Sequence, residues 1–214
     1  MGYNYTGWYA NKMRTKAKNP AAKEKLLNAA QALILKKGFS ATSVDEVCKA
    51  AKLTKGSFFH YFKSKDELGK ILLKRFCDSS HQLMDGEGCE GTDPLKRLYC
   101  YIDCFIKVFS DDKLSRGCLL ACFSQESADT YPEIRCMCEE GFEEWTRRIE
   151  KDMKSAKEKY APKASFDPGS LAEYFVALLE GVQILARVKH DKTAIKESLI
   201  HFKHYLDVLY RVRR

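Results

Sequence analysis

Residues 43 to 68 read SVDEVCKAAKLTKGSFFHYFKSKDEL. Val44, Val47, Cys48 and Ala51 recur at helical spacing, which gives a short helix one apolar face. Lys52-Leu53 interrupts that pattern. Thr54 is a good N-cap, and Lys55-Gly56-Ser57 is a small, polar opening for a second helix. Phe58 and Phe62 lie four apart and share a buried face, which leaves Lys55, Ser57, His60 and Tyr61 pointing away from it. Ser64 with Glu67 three residues on is a capping box that starts a third helix. Two short helices joined by a tight turn form a helix-turn-helix. The second carries exposed donors and a basic flank, the form of a major-groove reader. On this reading Lys55, Ser57 and His60 approach base edges or nearby phosphates. Thr42, Tyr61 and Lys65 grip the DNA backbone, and Ser43 and Gly56 complete the DNA-facing set.

Charge supports the same end of the chain. The net charge of the 214 residues is +8, and residues 1 to 75 hold 16 Lys+Arg against 5 Asp+Glu. The remaining residues hold 21 against 24 and are slightly acidic. An acidic polymer such as double-stranded DNA is drawn to the basic end, although a Lys-rich face is also compatible with simple solvation. Hydrophobic content of 45% with 31% charged residues is ordinary for a globular chain able to bury a sizeable core. No apolar run approaches the roughly 20 residues of a membrane span, and the first residues lack the apolar core of a signal peptide. The expectation is a cytoplasmic protein with no membrane partner. Nine cysteines, an odd count without C-x-x-C or a dense framework, point to reduced thiols.

Outward from the reader, residues 1 to 19 mix Tyr3, Tyr5, Trp8 and Tyr9 with Lys12, Arg14, Lys16 and Lys18. They read as a flexible arm that either lies along DNA or is a plain tail. A first helix runs from about Pro20 to Lys37 and is stopped by Gly38. A fourth, Lys65 to about Met84, is long enough to bridge out of the small domain. Three glycines in Asp85 to Gly91 mark a boundary. Helices then follow at 94–109, 117–128, 132–160, 169–189 and 192–211. With no strand pattern and no repeat, the fold class is all-α, about nine helices. It divides into an arm (1–19), a DNA-binding domain (20–75) and a C-terminal domain (76–214).

No catalytic constellation stands out. His201 and His204 lie three apart on a helix, which more often marks a partly exposed face than a metal site. No Gly-rich phosphate loop or nucleophile elbow is present, so the chain reads as a non-enzyme needing no cofactor and no metal. In the middle helices Phe105, Phe109, Phe123, Phe142, Trp145 and Phe175 supply aromatic, apolar surface, and with Cys118 they are the seven candidate effector-pocket residues. That is the usual lining of a small-molecule pocket and equally the content of a plain core. Cys118 is expected near a helix N-terminus, two residues after Arg116, a setting that favours a thiolate. The competing reading makes Cys118 and Cys122 small core residues. The last two helices carry broad stripes, including Leu178, Val182, Leu199, Phe202, Leu206 and Leu209, which suit a two-fold four-helix contact with a second copy.

The stretch from Thr42 to Leu68 resembles the DNA-binding segment of the TetR family of bacterial repressors, a likeness extending over roughly residues 21 to 75. Phe59 departs from the tyrosine usual there, removing a hydroxyl that often reaches phosphate. Residues 116 to 126, RGCLLACFSQE, resemble the G-C-L-L segment of a branch in which some members sense electrophiles or oxidants. The likeness continues through Pro132-Glu-Ile-Arg135 and Leu179-Glu-Gly181. The resemblance implies a homodimeric repressor on a palindromic operator, released by a small apolar ligand or by cysteine modification. A helical enzyme or small-molecule carrier with an incidental helix-turn-helix is the alternative.

Overall fold

The computed structural model describes residues 20–84, 93–110, 117–127 and 131–211. The N-terminal arm, the glycine-bearing stretch 85–91 and Arg116 therefore lie outside the described residues. Among the described residues the chain forms α1 (Pro20–Lys37), α2 (Val44–Ala51), α3 (Lys55–Tyr61), α4 (Lys65–Met84), α5 (Pro94–Ser110), α6 (Leu119–Ser127), α7 (Pro132–Tyr160), α8 (Pro168–Lys189) and α9 (Thr193–Leu209), with no strand. The all-α expectation holds.

Local chemistry sets the helix ends. Gly38 adopts φ 92°, and its N–H donates to Ile34 O at 2.8 Å, closing α1 in a backbone shape that suits glycine. Ser43 and Glu46 form a reciprocal capping box at the start of α2. Lys52 closes α2 in the left-handed region at φ 56°. Thr54 Oγ1 accepts from Ser57 N at 3.1 Å and starts α3. At α4, Ser64 Oγ accepts from Glu67 N, while the Glu67 carboxylate accepts from Lys63 N rather than from Ser64 N. Asp167 caps α8, with Pro168 in its first turn.

Two cores result. The first holds Leu26, Ile34, Phe39, Val47, Phe58, Phe62, Leu68 and Leu72, and it draws in Leu119 and Phe123 of α6 and Ile134 of α7. The reader helices thus share one apolar cluster with the middle of the chain. The second joins α5, α7, α8 and α9 through Ile102, Phe105, Ile149, Met153, Phe175, Leu199, Phe202 and Leu206. Each large side chain removed from water contributes about 1.5–3 kcal/mol. Polar ties fix the second core. The Arg97 Nε donates to the 4% exposed Asp152 at 3.0 Å, and the Tyr210 hydroxyl donates to Met153 O at 3.0 Å.

Two expectations need correction. Val182, Leu199, Phe202 and Leu206 are all at most 3% exposed, so they fill the chain's own core and are not available to a second copy. Leu178 and Leu209 are half-buried against that core. The reduced-thiol expectation fits Cys48, Cys77, Cys104, Cys118, Cys122, Cys136 and Cys138, which are free, but Cys100 is disulfide-bonded. No described helix is long and apolar enough to cross a membrane.

Candidate nucleic-acid interface and the core behind it

The reader face follows from how α3 is seated. Phe58 is fully buried and Phe62 nearly so, and each lies about one helical turn from the other. That anchoring turns Lys55, Gly56 and His60 to solvent and leaves Ser57 and Tyr61 half-buried at the edge. His60 and Tyr61 rings meet edge-on at 4.8 Å. Lys55 Nζ pairs with Asp45 at 2.8 Å across the α2–α3 turn, both groups remaining well exposed. A surface pair of this kind adds only about 0–1 kcal/mol, so it leaves the ammonium free to exchange a carboxylate for a phosphate. Phe59, where the family resemblance expects tyrosine, is 56% exposed. Ser43 is exposed, but its hydroxyl is held by Glu46 at 2.8 Å. Glu46 is drawn down to about 2 by the hydrogen bond from Lys37, helped by the Ser43 backbone and hydroxyl, so it stays an anion at neutral pH.

Two of the expected backbone-gripping residues sit elsewhere. Thr42 is 2% exposed and its hydroxyl donates to Gly38 O at 2.7 Å. Lys65 Nζ donates to Phe39 O at 3.1 Å and lies over the Phe39 ring at 4.5 Å from its centroid. Both residues build the turn between α1 and α2. Opposite them, Glu126 of α6 takes the N–H of Phe39 at 3.0 Å and of Ser40 at 2.7 Å, and Arg187 of α8 donates to Lys36 O at 2.9 Å. Glu126 and Arg187 escaped the sequence reading because no local pattern says which backbone groups a side chain will meet more than 80 residues away.

The seven residues expected to line one effector pocket divide between the two cores. Phe105 lies 5.6 Å from Trp145, 5.8 Å from Phe109 and 6.1 Å from Phe175, an aromatic group between α5, α7 and α8. Trp145 is 7% exposed, and its indole N–H has no hydrogen-bond partner among the described residues. Cys118 and Phe123 belong to the other cluster, with Phe142 packed against both. An open groove of about 540 Å³ between α7 and α8 is lined by Phe142 among acidic residues and by none of the other six.

Cys118 stands just before α6, as the sequence suggested, and its sulfur accepts from Ala121 N at 3.5 Å. The expected thiolate does not follow. Burial, and then the charge of Glu180, push the thiol well above its ordinary value and outweigh the helix-start hydrogen bonds. Glu180 is itself pushed up to about 7 by burial, partly offset by its hydrogen bond with Cys118. His201 and His204 are exposed with rings 6.5 Å apart, and no group of three or more metal-binding side chains occurs among the described residues.

The outer surface of the last helices carries what the buried residues do not. On α8, Tyr174, Leu185 and Val188 are 53%, 52% and 73% exposed. A side chain at Gly181, between them, would meet nothing within 4 Å. On α9, Tyr205 and Val208 are 45% and 75% exposed. Positions 174, 178, 181, 185 and 188 alternate four and three apart, the seam spacing of packed helices.

A helix-turn-helix with an exposed basic reader, fused to a helical core with an exposed apolar face, is the arrangement of a DNA-binding regulator. Comparison with known proteins agrees. Residues 26–70 match the profile described as bacterial regulatory proteins, tetR family, and residues 94–202 match that of the tetracyclin repressor-like C-terminal domain. The chain is 30% identical to the transcriptional regulator AcuR of Cereibacter sphaeroides, over 78% of this chain and 77% of that one. It is 26% identical to the HTH-type transcriptional repressor NemR of Escherichia coli K12, over 86% and 93%. A regulatory protein TetR from Rhodobacter sphaeroides superposes with a TM-score of 0.77 at 28% identity, covering 86% of this chain and 97% of that one. The chain belongs to the TetR family of transcriptional regulators.

The Glu180 site makes a pH prediction. The folded protein holds this carboxyl up to about 7 against an ordinary 4.5, so the fold binds its proton more tightly than the unfolded chain does. Its contribution is complete below pH about 4.5 and is lost as pH rises through about 7. Glu180→Gln, which cannot ionise, should therefore match the parent in acid and exceed it by up to about 3 kcal/mol at pH 8. Denaturant titrations at pH 5 and pH 8 measure this, and an equal difference at both pH values would count against it.

Proposed function

We propose that this TetR-type repressor reads a palindromic operator as a homodimer and leaves it when a small apolar molecule enters the C-terminal half. The observation that carries the reading is α3, seven residues whose buried Phe58 turns Lys55 and His60 outward. Residues 20–75 form the DNA-reading unit, 76–214 the effector and dimer unit. Lys55, Gly56, Ser57 and His60 face the major groove, with Ser43 and Tyr61 at its edge. Thr42 and Lys65 serve the interface indirectly, by shaping the turn that leads into α2. The chain acts by binding rather than by catalysis, in the cytoplasm where its operator lies.

The dimer face is the seam of exposed Tyr174, Leu185 and Val188, with the half-buried Leu178 and Gly181 between them, and of Tyr205 and Val208 on α9. An apolar seam open to water on two adjacent helices is the surface a second copy covers in a four-helix bundle. Effector release by a reversible apolar ligand is favoured over cysteine modification, because Cys118 is buried and held as a thiol. The aromatic group around Phe105, Trp145 and Phe175 offers such a ligand stacking surface and one unclaimed N–H donor.

Three outcomes test this. In a salt-titrated shift assay on duplexes selected by the wild type, His60→Ala should lose about 1–3 kcal/mol of discrimination, and binding that is unchanged on every duplex would remove His60 from the base-reading set. Leu185→Glu should give a folded monomer in sedimentation at micromolar concentration; a folded variant that stays a dimer would move the interface elsewhere. Treatment with N-ethylmaleimide should not distinguish Cys118→Ser from wild type in operator release. Release that requires Cys118 would instead make that thiol the sensor.

A further inference from the structure

Glu126 is the one carboxylate that α6 aims at the DNA-reading end of the chain, and its two oxygens take two consecutive backbone N–H groups. Phe39 N reaches Oε1 at 3.0 Å and Ser40 N reaches Oε2 at 2.7 Å. The turn is shaped to receive it. Gly38 has φ 92°, and a Cβ there would stand 2.0 Å from Glu126 Oε1. Glycine thus serves both the backbone bend and the space for the carboxylate. The carbonyls of the same turn are taken from the other side by Lys65, at 3.1 Å from Phe39 O and 3.4 Å from Ser40 O. Under the turn, the Phe39 ring lies 4.8 Å from Phe123, one helical turn before Glu126.

We propose that Glu126 is the positioning residue through which the C-terminal half sets the angle of the reader, by clamping the α1–α2 turn immediately before the cap of α2. This rests on the dimeric DNA-reading function proposed above. The physical reason is directional. Apolar contacts such as Phe39 against Phe123 hold two surfaces together but allow them to slide, whereas a bidentate carboxylate on adjacent N–H groups fixes distance and orientation at once. Ser40 lies three residues before Ser43, the α2 cap, so a shift of α6 is passed to α2 through a short segment in which Thr42 N donates to Phe39 O at 3.1 Å and Ser43 N to Glu46 Oε2 at 3.0 Å. Two heads held at one angle fit one separation of half-sites. With the clamp cut, the reader keeps its own fold and contacts, but its angle is no longer set by α6.

The test uses full-length protein and needs no effector. Palindromic duplexes are first selected from a random pool by the wild type, then remade with one base pair added to or removed from the spacer. Wild type should prefer its own spacing by about 10-fold or more, the size of one misplaced base-pair contact. Glu126→Ala should bring the three spacings to within about 2-fold of one another while keeping wild-type dimer mass and salt slope. Glu126→Gln keeps the volume and one acceptor oxygen, so its ratio should fall between the two. A variant that loses affinity in parallel for all spacings, or that keeps the wild-type ratio, overturns the role of Glu126 and leaves the DNA-reading function standing. A wild type that binds but shows no spacing preference overturns the dimeric reading and this inference together.

Discussion

The structure depends on one aromatic side chain in the turn that follows α1. Phe39 follows the glycine that ends α1 and is fully buried, its ring 4.8 Å from Phe123 of α6 and 5.8 Å from Tyr131 before α7. Everything else about the turn is arranged so that this ring can be there. Gly38 supplies the left-handed backbone, Thr42 closes the turn onto Gly38 O, and Lys65 covers the ring with its ammonium. The backbone polar groups that such a burial would strand are matched by side chains, as buried amides require. The result is that a small DNA-reading unit, too short in its two reader helices to be stable alone, borrows its core from the middle of the chain.

That arrangement separates charge from packing. Around α2 and α3 the basic residues Lys49, Lys52, Lys55 and Lys63 are exposed, while the groups that hold the reader in place are apolar or internally paired. Lys55 is paired only at the surface, with Asp45, and Glu46 is kept anionic by Lys37. Long-range attraction to a polyanion therefore does not compete with the fold. In the C-terminal half the balance reverses. The part-buried Arg97–Asp152 pair stitches α5 to α7, and Glu180 is left in a setting that favours its proton.

Much of this was legible in the chain itself, and the reasons are local. The caps at Thr54 and Ser64, the stop at Gly38 and the spacing of Phe58 and Phe62 are short-range signals, and each appears in the structure where the spacing put it, whereas the capping box at Ser43 was not read. What failed to read out depends on which face a helix turns inward. Val182, Leu199, Phe202 and Leu206 have the spacing of an interface, but the same spacing serves an internal seam, and α5 and α7 claim it. The exposed Tyr174, Leu185, Val188, Tyr205 and Val208 share those helices with no compositional mark to tell them apart. Cys118 shows the same limit in electrostatics. Its place before α6 was readable, but the burial that decides its chemistry and the Glu180 carboxyl beside it come from α8, some 60 residues on.

Operator recognition requires two reader helices presented together to one duplex. Hydroxyl-radical footprinting of the wild-type protein on a selected duplex measures this directly. Two symmetric protected patches should appear on one face of the DNA, centred about one helical turn or a whole multiple of it apart, with both lost together as salt is raised. A single unsymmetric patch, or uniform protection without phase, would contradict it.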